Sequence, residues 1–198
     1  MGAISRPARN ALLVATLAAA VYLNALPGDF VYDDNSLLVA NPWLRSASHI
    51  PRLLAGGIWN FRGEVRNCFR PGQMLSYMPD ILIFGLNPLP LHVHNLVYHV
   101  LASLAVLWVL RLWIRCEPAA LAGGLLFAVH PIHTEAVSCI SGMGDVGCGL
   151  FFALALLLLM AALDASGAAR RWLARGGAAG CFLVALSFKE MAAVLPLI

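Results

Sequence analysis

The sequence predicts an all-α membrane protein, a polytopic helical bundle whose long first external loop carries helices lying in the membrane interface. Three observations predict it. Of the 198 residues, 61% are hydrophobic and 12% charged, with a mean hydropathy of +0.80, whereas soluble domains run about half apolar and about a quarter charged. The apolar residues gather into long uncharged runs, among them Val146–Leu163. Between these runs lie polar clusters at Asp33-Asp34, His130–Glu135 and Lys189-Glu190, spaced so that successive crossings return them to one side.

The first run, 11–26, follows Arg6 and Arg9. A spanning helix needs roughly 20 apolar residues, so with its flanks this run suffices. A cleavable signal peptide has the same basic start and short apolar region, but the apolar chain that follows favours a retained anchor. From Pro27 to about Pro90 the chain is polar, holding Asp29, Asp33, Asp34, Arg45, Arg52, Arg62, Glu64, Arg66 and Arg70. Within it, Ile50–Phe61 and Leu75–Leu86 are half apolar, the pattern of helices lying in the interface. The next span, 91–113, carries His94, Asn95 and His99 near its start. Ala119–Val129 is too short to cross alone and reaches spanning length only with the segment after it, giving an expected span over 119–137. Further spans are expected over 146–163 and 176–188, with another beginning at 191. The sequence stops inside an apolar run, Leu195-Pro-Leu-Ile198, and is read as the N-terminal part of something longer.

Basic residues of short loops set orientation. Arg6 and Arg9, Arg111 and Arg115, and Arg170, Arg171 and Arg175 fall on one side, while the connection from His130 to Gly144 has no Lys or Arg. The N-terminus is therefore expected in the cytoplasm, with the three polar clusters on the opposite face. The net charge of +3 is dispersed, with none of the aromatic-basic patterning of a nucleic-acid groove, so no nucleic-acid partner is expected. The five cysteines form no CxxC and no metal-spaced set.

Each cluster has a bland reading beside a chemical one. Asp33-Asp34 is a solvated pair or helix cap, or it contains a general base that removes a proton from an attacking hydroxyl. His130, His133 and Glu135 do not match the His-Glu-x-x-His spacing of a metal helix, and Pro131 interrupts the helix between the histidines, so no metal and no cofactor is expected. Their imidazoles either donate to an anion such as a phosphate or complete a polar helix end. Asn95 and His99 share a helix face and mark either a site or interhelical hydrogen bonding. Lys189-Glu190 is a self-neutralising pair or presents a lysine to a phosphate. Asp145 forms an ion pair or caps a helix. Arg66 and Arg70 are a solvated face or clamp a phosphate.

In order, these motifs resemble a known family. Phe30-Val-Tyr-Asp-Asp34 with Asn41-Pro42, then Phe69-Arg-Pro71, Leu75-Ser-Tyr77, Phe84-Gly-Leu-Asn-Pro88 and His94-Asn-Leu96 form the first part. Leu126-Phe-Ala-Val-His-Pro-Ile-His-Thr-Glu-Ala-Val137 and Ser187-Phe-Lys-Glu190 complete it. The chain resembles the N-terminal part of the transmembrane, tetratricopeptide-repeat-containing O-mannosyltransferases and their bacterial relatives, which are multi-span glycosyltransferases of the GT-C fold. The resemblance covers nearly the whole chain, and its most specific element is the run from Val129 to Val137.

The resemblance implies an inverting enzyme. It would move a sugar from a polyprenyl-phosphate-linked donor to the hydroxyl of an acceptor protein or glycan, a protein Ser or Thr in many cases. It implies Asp33 as the base with Asp34 supporting it, and His130, His133, Glu135, Lys189 and Arg70 as candidates that orient the donor phosphate and stabilise charge on the leaving group. The expected location is a bacterial inner membrane, with the endoplasmic reticulum as the alternative. Two departures stand out. The family's Arg in a Gly-Arg-(Ala/Ser)-Asp motif is Met143 here, and the later spans and tetratricopeptide repeats are absent from these 198 residues, so the fragment is not expected to be active alone. The competing reading is a non-catalytic or transporter-like membrane protein that binds a polyprenyl lipid.

Overall fold

A computed structural model describes residues 5–64 and 68–197. Among them there is no strand. The α-helices are α1 (Arg6–Ala20), α2 (Ile50–Ala55), α3 (Pro71–Phe84), α4 (Pro88–Ile114), α5 (Glu117–Val129), α6 (Thr134–Ser138), α7 (Met143–Asp164) and α8 (Ala168–Phe188), joined by tighter 3-10 turns and a wider π turn at Asn35–Val39. Among the described residues, three stretches are long and apolar enough to cross a membrane: Arg6–Ala25, Pro88–Ile114 and Ile140–Asp164. Many of their large side chains face outward, including Leu12, Trp113 and Leu163, as lipid requires. The chain is an all-helical membrane protein.

Where helices begin and end follows local chemistry. Asn87 caps α4, its side-chain oxygen accepting from the Leu89 N–H at 3.0 Å, with Pro88 at the first helical position. α4 stops at Arg115, whose left-handed backbone (φ 55°) turns the chain into α5. The region expected as one span over 119–137 is divided. α5 has 13 residues, about 20 Å of helix, and ends at His130-Pro131, where proline removes a backbone donor. A 3-10 turn over Pro131–His133 and the short α6 follow. α8 begins earlier than expected, at Ala168, and so includes Arg170, Arg171 and Arg175. The segment from 190 onward is a 3-10 helix, Glu190–Leu197.

α7 and α8 form a hairpin across a three-residue connection and pack against each other along their length, and α4 packs against α1, α5 and α7. Close approach between α7 and α8 depends on Gly147, because a Cβ there would fall on the ring of Phe188. The main core lies beneath the first loop: Leu37, Leu38, Leu44, Met74, Tyr77, Ile140, Met143 and Phe188 are all buried in one cluster. A second cluster, Val14, Ala18, Leu107 and Ala128, joins α1, α4 and α5. There Glu117 accepts from Asn10 at 2.8 Å and from Arg111 at 3.0 Å, tying the same helices together. α3, expected as an interfacial helix, buries Met74, Tyr77, Met78 and Ile81 and exposes Leu82, Ile83 and Phe84, the split of an element with one face on the core.

Candidate functional site

The polar clusters meet because the turn before α7 is held in place by three other parts of the chain. The Asn95 amide donates to the Cys139 carbonyl at 2.7 Å, the Tyr77 hydroxyl to the Ile140 carbonyl at 3.0 Å, and the Gln73 amide to the Ser141 carbonyl at 2.8 Å. Asn95, Tyr77 and Gln73 are all buried. Burial pushes the Tyr77 phenol far up, so it stays a donor. The fourth grip comes from the first loop. Asp34 is fully buried, and its Oδ1 accepts from the Ser141 N–H at 2.7 Å while its Oδ2 accepts from the Val31 N–H at 3.1 Å. A buried carboxylate without such donors would be costly; here it draws the loop onto the start of α7.

Its neighbour Asp33 is exposed, and no hydrogen bond or ion pair among the described residues engages its carboxylate. Asp33 lies on the wall of a cleft of about 800 Å³, together with Arg70, His133, Glu135, Asp145 and Lys189. The two acidic residues have therefore separated into a buried anchor and an unpartnered carboxylate facing the cleft. The residue before them, Tyr32, has a φ of 45°. For a bulky side chain that is an outlier costing on the order of 1–3 kcal/mol.

The basic residues are not idle. Arg70 grips Glu190 with two donors, Nε at 3.1 Å and Nη2 at 2.8 Å. Lys189 reaches Asp145 at 2.5 Å. Lys189 and Glu190 thus pair across the structure rather than with each other, and Asp145 is an ion-pair partner. The hydrogen bond from Arg70 holds the Glu190 carboxyl below its usual range. Each cation keeps further N–H donors, since arginine has five and lysine three.

Of the histidines, His133 lines the cleft, its ring 5.5 Å from that of His99 and 4.5 Å from that of Phe127. Burial, followed by the neighbouring His99 and His130, pushes its imidazole below the ordinary value. His130 does not line the cleft. Its Nδ1 accepts from the Ile132 N–H at 3.2 Å and its carbonyl accepts from the Tyr22 hydroxyl, so it caps the turn that orients His133. Glu135 is exposed on the cleft wall. Arg66 lies outside the described residues. His99 donates through Nε2 to the Ala128 carbonyl at 3.0 Å, an interhelical bond from α4 to α5, and also borders the cleft; Asn95 bonds the turn before α7. His94 pairs with Asp80 at 2.6 Å.

Met143, in the position of the family arginine, is fully buried in the main core and is not part of the cleft wall. Among the described residues, no group of three or more His, Cys, Asp or Glu side chains is placed to hold a metal ion. Sequence reasoning missed Gln73 and gave Tyr77 no role beyond the Leu75-Ser-Tyr77 motif, although their four-residue spacing put both on one face of α3, the signal that could have paired them.

Comparison with known proteins gives a consistent set of relatives. The protein O-mannosyl-transferase TMTC2 of Mus musculus is 34% identical over 187 residues, which is 87% of this chain and 22% of that protein. TMTC2 of Homo sapiens is 33% identical over 180 residues, again 87% of this chain and 22% of that protein. Tmtc1 of Drosophila melanogaster, also a protein O-mannosyl-transferase, is 35% identical over 144 residues, 71% of this chain and 17% of that protein. No family model matches the chain, and no solved structure does. The chain spans about a fifth of the length of the curated relatives it matches. Over that span it is a homologue of the TMTC protein O-mannosyl-transferases, in agreement with the family its motifs resemble.

Proposed function

We propose that the chain is the base-bearing part of a membrane glycosyltransferase of the GT-C type, which moves a sugar from a polyprenyl-phosphate donor to a Ser or Thr hydroxyl of an acceptor protein. The relatives' names point to a mannosyl group as the sugar. The observation that carries the reading is the unpartnered carboxylate of Asp33 in a cleft that also holds Arg70, Lys189 and His133.

The acceptor hydroxyl attacks the anomeric carbon on the face opposite the phosphate, and Asp33 takes its proton. The bond from the anomeric carbon to the phosphate oxygen breaks, and its electron pair leaves on the phosphate. Configuration at that carbon inverts. Arg70 and Lys189 offer their remaining donors to the charge that develops on the departing phosphate, and His133 adds a neutral donor. Asp34 keeps the Asp33 loop in register through Ser141. Glu135 is exposed in the same cleft.

The test is sugar transfer by the full-length protein in membranes, comparing wild type with Asp33→Asn. That change keeps the size and removes the base. Transfer is expected to fall by about 10²–10⁴-fold with donor binding intact. Equal transfer by the variant sinks the assignment of the base. Absence of transfer by either protein, with polyprenyl phosphate still bound, favours a lipid-binding role.

A further inference from the structure

Tyr32 combines two properties that packing does not require. Its backbone occupies the left-handed region at φ 45°, where Gly, Asn or Asp would sit without strain. Its side chain is 89% exposed although it forms part of the cleft wall. A tyrosine that filled space would be buried, and a turn that merely reversed the chain would carry a smaller residue. The conformation is imposed by Asp34. Its carboxylate accepts from the Val31 N–H and its own N–H donates to the Val31 carbonyl at 2.9 Å, closing residues 31–34 around Tyr32. Strained residues persist where their surroundings over-determine them, and they cluster where ligands are gripped.

We propose that Tyr32 contacts the acceptor and helps select it, its ring packing on an apolar side chain of the polypeptide next to the Ser or Thr that loses its proton. The inference rests on the reading of Asp33 as the base. Consecutive Cα atoms are about 3.8 Å apart, so a hydroxyl at the Asp33 carboxylate brings its flanking residues within reach of the Tyr32 ring. The cleft also carries exposed apolar surface from Ile132 (73%) and Met191 (64%). A ligand engaging both these side chains and the charged groups has an apolar part beside a polar reacting part. An aromatic ring with two side-chain torsions supplies contact area at small entropic cost.

The experiment uses full-length protein in membranes, with Tyr32→Gly, Tyr32→Phe and Asp33→Asn assayed against peptides whose serine is flanked by leucine or by asparagine. Tyr32→Gly is expected to keep or raise the unfolding temperature, because glycine adopts this φ freely. Its KM for the leucine-flanked peptide is expected to rise roughly tenfold, the worth of one aromatic contact, with the donor KM unchanged. Tyr32→Phe is expected to keep the wild-type KM, and the asparagine-flanked peptide to be insensitive to both changes. An unchanged acceptor KM in Tyr32→Gly overturns the proposal and leaves the ring to the lipid surface. A raised donor KM overturns it too, moving Tyr32 to the sugar donor. Normal transfer by Asp33→Asn strikes the base assignment instead, and the Tyr32 arms report on acceptor contact independently of it.

Discussion

The carboxylate of Asp34 accepts a 2.7 Å hydrogen bond from the backbone N–H of Ser141, joining residues 107 apart in the chain. This bond fixes the first loop to the turn that starts α7, and through it the position of Asp33 in the cleft. Gln73, Tyr77 and Asn95 hold the other side of the same turn, so the register between loop and bundle is set by buried polar groups rather than by loop packing alone.

Replacing Asp34 by Ala should therefore do two things. It leaves the partly buried Ser141 and Val31 N–H groups without their acceptor, costing about 1 kcal/mol each, and it releases the Asp33 loop. Thermal unfolding in detergent and sugar transfer should both drop. Destabilisation with transfer intact in the surviving folded protein would separate Asp34 from the chemistry.

Glu190→Gln should remove the charge that Arg70 now holds. The pair is exposed on the Glu190 side, so stability should change by less than about 1 kcal/mol. Binding of polyprenyl phosphate, measured by titration, should tighten, because glutamine keeps one acceptor oxygen where glutamate has two, which frees one of the arginine's two engaged donors for phosphate. Weaker binding would mean that Glu190 orients Arg70 rather than competing for it.

His133 predicts a pH dependence. Its folded value lies below the ordinary 6.5, so below that pH the unfolded chain takes up a proton more readily than the folded one. Its contribution is complete above about pH 6.5 and is lost as pH falls through the folded value. Unfolding temperature should decline on acidification across this window, and His133→Gln should flatten the decline. An identical pH profile in the variant would assign the effect to another group.

Gly147→Ala should force the α7–α8 hairpin apart, because the added methyl meets the Phe188 ring. Overpacking of this kind costs about 1–3 kcal/mol. A lowered unfolding temperature checks it, and Phe188→Leu in the same chain should recover part of the loss by making room.

The sequence by itself determined the membrane class, the helices around 91–113 and 146–163, and the short list of residues that carry charge between apolar runs. These follow from local quantities: run length, hydropathy and the scarcity of ionisable side chains, which leaves few places for chemistry. Pro131 also marked where a helix beginning near Ala119 has to break, although the expected span ran through it. Only the tertiary structure decided which member of each cluster does what. Adjacent aspartates look alike in sequence, yet Asp34 is buried against Ser141 while Asp33 remains open, because one turn of backbone points them in different directions. Lys189 and Glu190 read as a pair but bond to Asp145 and Arg70, since neighbours on an extended backbone diverge and partners come from other helices. His130 and His133 likewise separate into a cap and a cleft residue. Burial and partner choice are long-range properties, set by which helices meet, and no local pattern encodes them.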